Sequence, residues 1–175
     1  MTAKAATRTP EPVRRGFAPL ARPDARALVL GSLPGEASLF AGEYYAHPRN
    51  AFWPIVGALF GFDARAPYAL RVAALTAAGV ALWDVLAACE RPGSLDADIV
   101  PASEVPNDIP AFLADHAGIT TVFFNGTHAQ AAYRRHFGKR LAPATARLPS
   151  TSPAHAARDF AAKLAAWRLL AARLD

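Results

Sequence analysis

The chain of 175 residues holds a single cysteine, Cys89, and that scarcity removes several chemistries at once. An intrachain disulfide, a multi-cysteine zinc site and a cysteine-ligated iron–sulfur cluster all need more than one thiol. Long apolar runs are missing as well. No segment approaches the ~20 residues of a membrane span, and the opening MTAKAATRTPEPVRR lacks the apolar centre of an export signal. These absences predict a protein of the reducing cytoplasm, neither exported nor embedded. No G-x-G-x-x-G, G-x-x-x-x-G-K-[ST] or G-x-S-x-G motif occurs, and Gly138-Lys139 has no upstream glycine to complete a phosphate loop. His47, His116, His128, His136 and His155 stand outside any H-E-x-x-H pattern, so neither a metal nor a bound cofactor is expected. Charge is also sparse. Charged residues are 19% of the chain against 53% hydrophobic, a balance that supports a packed core. The formal net charge of +5 is spread over small clusters such as Arg134-Arg135, which permits a polyanionic partner without requiring one.

What the chain does have is alternation of short apolar runs with helical periodicity. Residues 1–16 mix Ala, Thr, Pro and Arg without a period and read as a flexible basic tail, leaving 17–175 as a single domain. Strands are expected at 27–32, 80–84, 119–124 and 144–148. Helices are expected from Asn50 as N-cap to a stop at Gly61, at 67–78, 109–116 and 128–137, and from Pro153 to about Arg173. The segment from Cys89 to Pro106 carries turn signals without a period and reads as a structured loop. Strands alternating with helices imply an α/β fold, a mainly parallel sheet covered on both faces.

In such sheets ligands gather at the carboxyl ends of the strands. Three polar segments fall there: GSLPGEASLFAGEYYAHPRNAFW from Gly31 to Trp53, Asn125-Gly126 after the run FF, and LPSTSP from Leu148 to Pro153. Together they frame one pocket in which Tyr44, Tyr45 and Phe52 supply aromatic faces and the Asn125 amide can donate and accept hydrogen bonds. That lining suits a flat heterocycle such as a nucleobase. Plainer duties compete at each position. Asn50 makes a good helix cap, Asn125-Gly126 a turn, Phe52 and Trp53 a core face, Tyr44 packing, and Asp84 a buried structural carboxylate; Arg91 and Asp96 could pair to order their loop.

The three segments, in this order and spacing, with LWDVLAACERPGSLDADI from Leu82 to Ile99, resemble the uracil-DNA glycosylase superfamily, specifically its hypoxanthine (deoxyinosine) DNA glycosylase branch. The resemblance runs from about Ala27 to Ala156 and implies a three-layer α/β/α sandwich around a central four-stranded sheet. It also implies a monomeric, monofunctional base-excision-repair enzyme that flips a deaminated base out of double-stranded DNA, hypoxanthine first, and hydrolyses its N-glycosidic bond. The superfamily often carries Asp or Asn two residues after the first motif's initial Gly, where Leu33 stands, and the branch moves the water-positioning role to Asn50. Its third motif often opens with a His, where Leu148 stands. By the same resemblance Tyr45, with Phe52, stacks on the base, Asn125 holds its edge, and backbone N–H groups along the Leu33-Pro34-Gly35 turn support the leaving anion. Ser150 and Ser152 grip phosphates at the start of the last helix, and Ala154 and His155 fill the gap in the duplex. Single-stranded DNA remains open as a further substrate. Rival readings are a uracil or mismatch enzyme, a non-catalytic binder of damaged DNA, and a small-molecule hydrolase using Ser32 or Ser150, for which the sequence places no activating base.

Overall fold

The computed structural model describes residues 12–138 and 143–174. Its centre is a four-stranded parallel sheet in the order β3-β2-β6-β7, formed by β2 (Ala27–Gly31), β3 (Val80–Asp84), β6 (Thr121–Asn125) and β7 (Ala144–Leu148). All five residues of β2 are buried, as an inner parallel strand covered on both faces must be, and its sequence ALVLG is apolar without alternation. One face of the sheet, with Leu28, Leu30, Val122 and Phe124, packs under α4 (Ile109–Asp115) and α5 (Thr127–Phe137). The other, with Ala27, Val29, Leu82 and Phe123, packs under α2 (Phe52–Phe60), α3 (Tyr68–Ala77) and α6 (Phe160–Ala172). This is the three-layer α/β/α arrangement around a parallel four-stranded sheet that the sequence implied. From β2 the chain turns one way to β3 and later returns on the other side to β6, so the sheet's switch point lies between β2 and β6. A crevice opens at such a point.

Three expectations are corrected. A second, antiparallel sheet in the order β1-β4-β5 joins β1 (Val13–Arg15), β4 (Leu86–Glu90) and β5 (Val105–Pro106). The expected tail over 1–16 therefore ends in a paired strand, and residues 1–11 lie outside the described residues. The expected loop from Cys89 to Pro106 likewise begins and ends in strands, with two short 3₁₀ turns at Asp96–Asp98 and Pro101–Ser103 between them. Finally, the last helix starts at Phe160 rather than Pro153. Asp159 caps it by accepting a hydrogen bond from the Ala162 N–H at 2.8 Å, and residues 153–159 precede it as turns. Between β2 and α2 lies α1 (Glu36–Ala41), a short helix ended by Gly42 in the left-handed region.

Candidate active site

A cleft of about 930 Å³ opens over the carboxyl ends of β2, β3 and β6. It is lined by Leu33, Pro34, Gly35, Tyr45, Asn50, Asn125, Ser150, Ser152, Ala154 and His155, which the sequence reading had gathered from three separate segments. Phe52 does not reach it. Its side chain is fully buried, stacked beneath Tyr45 with ring centroids 4.1 Å apart and planes at 23°, so it supports the ring that meets the cleft. Tyr45 is held there at some cost. With φ of 55° it is the one non-glycine residue in the left-handed region among the described residues. Tyr44 packs inward, donating its hydroxyl to the Ala18 carbonyl and accepting from the Trp53 indole N–H at its own carbonyl.

The residue that joins the three segments was not singled out from sequence. Thr151 is buried; its N–H donates to Asn125 Oδ1, its Oγ1 accepts from Asn125 Nδ2, both at 2.9 Å, and its carbonyl accepts the Ala51 N–H at 3.0 Å. Asn125 is thereby fixed in orientation, with one amide N–H left over for a ligand. A clue was present in the alternation Ser150-Thr151-Ser152, of which the middle residue is buried and the outer two are half-buried.

Asn50 is half-buried at the cleft wall, one residue before the N-cap of α2, which is Ala51 rather than Asn50 as expected; its Oδ1 still accepts the Phe52 N–H at 3.0 Å, fastening the first turn of α2. One lone pair remains for water. Opposite, Ser150 lies against the backbone of Gly126, the residue from which α5 starts, rather than at the start of α6 as expected. Ser150 and Ser152 use their hydroxyls to accept the N–H groups of Ser152 and Ala154, both at 3.2 Å, which shapes the turn. Ser32 donates its hydroxyl to Asp96 Oδ1 at 2.6 Å. Neither Ser32 nor Ser150 is bonded to a histidine among the described residues, so neither is set up as a nucleophile.

Asp84, at the end of β3, lines the cleft floor and is 3% exposed, and no described residue hydrogen-bonds its carboxyl group. Burial pushes its pKa up to about 8, with the nearby Asp96 adding to the rise and Arg91 opposing it. The Tyr45 hydroxyl is likewise buried without a partner, and burial followed by the charge of Asp84 raises its pKa, against a contact with Asn125 that lowers it. Gly31 makes room for both: a Cβ there would collide with Asp84 Oδ1 and stand 3.0 Å from the Tyr45 hydroxyl. Arg91 does not pair with Asp96 as expected. It is wholly buried and donates to the carbonyls of Leu33, at 3.4 Å, and Pro34.

A cleft with amide, phenol and carboxyl groups at its floor invites comparison with nucleobase enzymes. The sequence model described as the uracil DNA glycosylase superfamily matches residues 18–171. The chain belongs to that superfamily. Among relatives in the superfamily, the hypoxanthine DNA glycosylase of Methanosarcina barkeri is 37% identical over 115 residues, which cover 65% of this chain and 71% of that protein. The protein of the same name from Methanosarcina acetivorans is 32% identical over 118 residues, 67% of this chain and 73% of its own. A solution NMR structure of a Methanosarcina acetivorans protein provisionally assigned as a uracil DNA glycosylase superposes with a TM-score of 0.77 at 29% identity, covering 93% of this chain and 98% of that one. Among the described residues no helix is long and apolar enough to cross a membrane.

Proposed function

We propose that this uracil-DNA glycosylase superfamily member is a monofunctional DNA glycosylase that releases deaminated bases from double-stranded DNA, hypoxanthine first, as a cytoplasmic monomer in base excision repair. The observation that carries this reading is the unsatisfied polar floor of the cleft. Asp84, Tyr45 and the remaining N–H of Asn125 await a ligand that is flat and hydrogen-bonding on one edge. Below about pH 8 the neutral Asp84 offers one donor and one acceptor. That is the complement of a lactam edge, an N–H beside a C=O, which deamination of adenine creates.

A base inside a duplex cannot reach this floor, so the nucleotide must swing out, at a cost of a few kcal/mol that is smallest for a mispaired base. The Tyr45 ring, backed by Phe52, stacks on the extruded base. Asn50 holds a water through its free lone pair against the sugar carbon as the glycosidic bond breaks with oxocarbenium character. The N–H groups of Leu33 and Gly35 have no acceptor among the described residues and serve the departing base anion. Pro34 has no N–H and shapes the turn between them. Ser150, Ser152, Ala154 and His155 form the rim that meets the DNA backbone and the gap left by the flipped nucleotide.

The test is incubation with labelled duplexes carrying deoxyinosine, deoxyxanthosine, deoxyuridine or only normal bases, followed by alkali to break abasic sites. Release from the deoxyinosine duplex without breakage before alkali is the expected result. Release of no base would end the enzyme reading, and strand scission before alkali would end the monofunctional one. Uracil carries the same lactam edge, which makes deoxyuridine the second substrate to measure; a single-stranded deoxyinosine oligomer decides whether pairing is needed.

A further inference from the structure

The departing base takes an electron pair with it, yet the side chains flanking the anion's expected place, Leu33 and Leu148, are apolar and buried. The positive charge nearest the Leu33–Gly35 turn lies behind it. Arg91 follows β4, is fully buried, and among the described residues has no carboxylate within ion-pair distance. Its two terminal nitrogens donate to the carbonyls of Leu33 and Pro34, and its Nε has no partner. A guanidinium buried this way is costly, and the fold keeps it against the back of the cleft wall.

The two carbonyls differ in what stands on the far side of their peptides. The Leu33 carbonyl belongs to the peptide with Pro34, which has no N–H, so that contact only positions the turn. The Pro34 carbonyl belongs to the peptide with Gly35. Gly35 N–H has no acceptor among the described residues, Gly35 lines the cleft, and a Cβ on it would meet nothing within 4 Å. We infer that Arg91 is a positioning residue for leaving-group stabilisation: it fixes and polarises the Pro34–Gly35 peptide so that Gly35 N–H becomes a stronger donor to the departing base. A charge-assisted bond at one end of an amide strengthens the bond made at the other. The other ionisable groups close to Arg91 do not pair with it. Asp96, which accepts from Ser32, and Glu104, which is held by Arg135 and His136, keep their charge but form no ion pair with Arg91 among the described residues, Asp84 is neutral below about pH 8, and burial raises the Cys89 thiol.

This relay rests on the glycosylase reading, and one set of variants separates the two. Single-turnover release of hypoxanthine and affinity for the same uncleaved duplex are measured for the unmodified protein, Arg91→Met, Arg91→Lys, Gly35→Pro and the double variant Arg91→Met/Gly35→Pro, with melting temperature as a check on folding. Gly35 has φ of −70°, which proline accepts, so that substitution removes the N–H with little strain. Arg91→Met should slow release about ten- to hundredfold while duplex affinity stays within about twofold, with Arg91→Lys between the two. The double variant should be no slower than the slower single variant by more than about twofold, because both act on one donor. A purely structural arginine would instead lower affinity and rate together, or give losses that multiply in the double variant, and either result overturns the relay. If Arg91→Met does not fold, Arg91→Lys is combined with Gly35→Pro and the same non-additivity decides. No release by the unmodified protein overturns the glycosylase reading and the relay with it; release with multiplying losses overturns the relay alone.

Discussion

The proposed function places two duties on the side-chain carbonyl of Asn50. Its Oδ1 accepts the Phe52 N–H, which satisfies one of the donors that the first turn of α2 leaves without a helical partner, and the second lone pair is left for the water of the proposed reaction at a residue that lines the cleft. The capping duty and the water-holding duty are therefore compatible, and they separate on substitution. Asn50→Ala removes both. It should cost about 1 kcal/mol in chemical denaturation, a typical loss for a cap, and slow hypoxanthine release by about a hundredfold or more. Asn50→Asp keeps an acceptor for Phe52 and should retain most of the stability. If Asn50→Ala released hypoxanthine at the unmodified rate, Asn50 would be a cap and nothing more. A similar division of labour explains Phe52, whose burial beneath Tyr45 makes it a support for the Tyr45 ring rather than part of the cleft surface.

At the scale of elements, the start of α6 decides what the serine loop can do. Asp159 caps the helix with its own carboxylate, so this N-terminus already holds a negative charge and has little to offer a phosphate. Asp159→Ala should destabilise the protein by about 0.5–2 kcal/mol while leaving duplex affinity unchanged. A fall in affinity matching the loss of stability would show that the helix start belongs to the DNA contact after all. The helix was misplaced from sequence because PAHAARD is rich in good helix formers, and only the cap at Asp159 reveals the boundary. Where periodicity and stop signals coincide, the reading was sound: 80–84 and 144–148 appear as strands with those bounds, and α2 ends before Gly61 as expected. The antiparallel sheet was hidden for a physical reason. β1 is three residues long and polar (VRR), and β4 (LAACE) lacks alternation, so both depend on partners distant in sequence. The same limit applies inside the cleft. Which strand-end residues meet was legible from fold logic, but Thr151 as their junction and Arg91 behind the turn arise from contacts 26 to 58 residues apart.

For the whole molecule, charge is arranged in layers. A net charge of +5 and the cleft-lining residues Arg49, Arg147 and Arg158 favour the approach of DNA, whereas Asp84 sits beneath them at the floor. An ionised carboxyl there would accept hydrogen bonds but donate none, so the proposed reading of a lactam edge depends on the fold keeping Asp84 protonated. That requirement has a measurable consequence for stability. The pKa of Asp84 is raised from an ordinary 3.8 to about 8 on folding, so between these values the folded chain holds a proton that the unfolded chain releases. The contribution of this group is at its fullest below the unfolded pKa and is lost as pH rises toward the folded one, levelling off above about 8. Asp84→Asn preserves the shape and has no proton to lose. Its stability relative to the unmodified protein should therefore improve by up to about 1.4 kcal/mol per pH unit between pH 5 and 7, then flatten above pH 8. Urea denaturation of both proteins at pH 5, 6, 7 and 8 reads this directly, since groups unaffected by the substitution cancel in the difference. A difference independent of pH would mean that Asp84 titrates alike in the folded and unfolded chains, and the donor assigned to the cleft floor would be absent at neutral pH. In the companion measurement, hypoxanthine release by the unmodified protein should decline above about pH 8 as that donor is lost, and Asp84→Asn, whose amide keeps a donor and an acceptor, should show no such decline from this group.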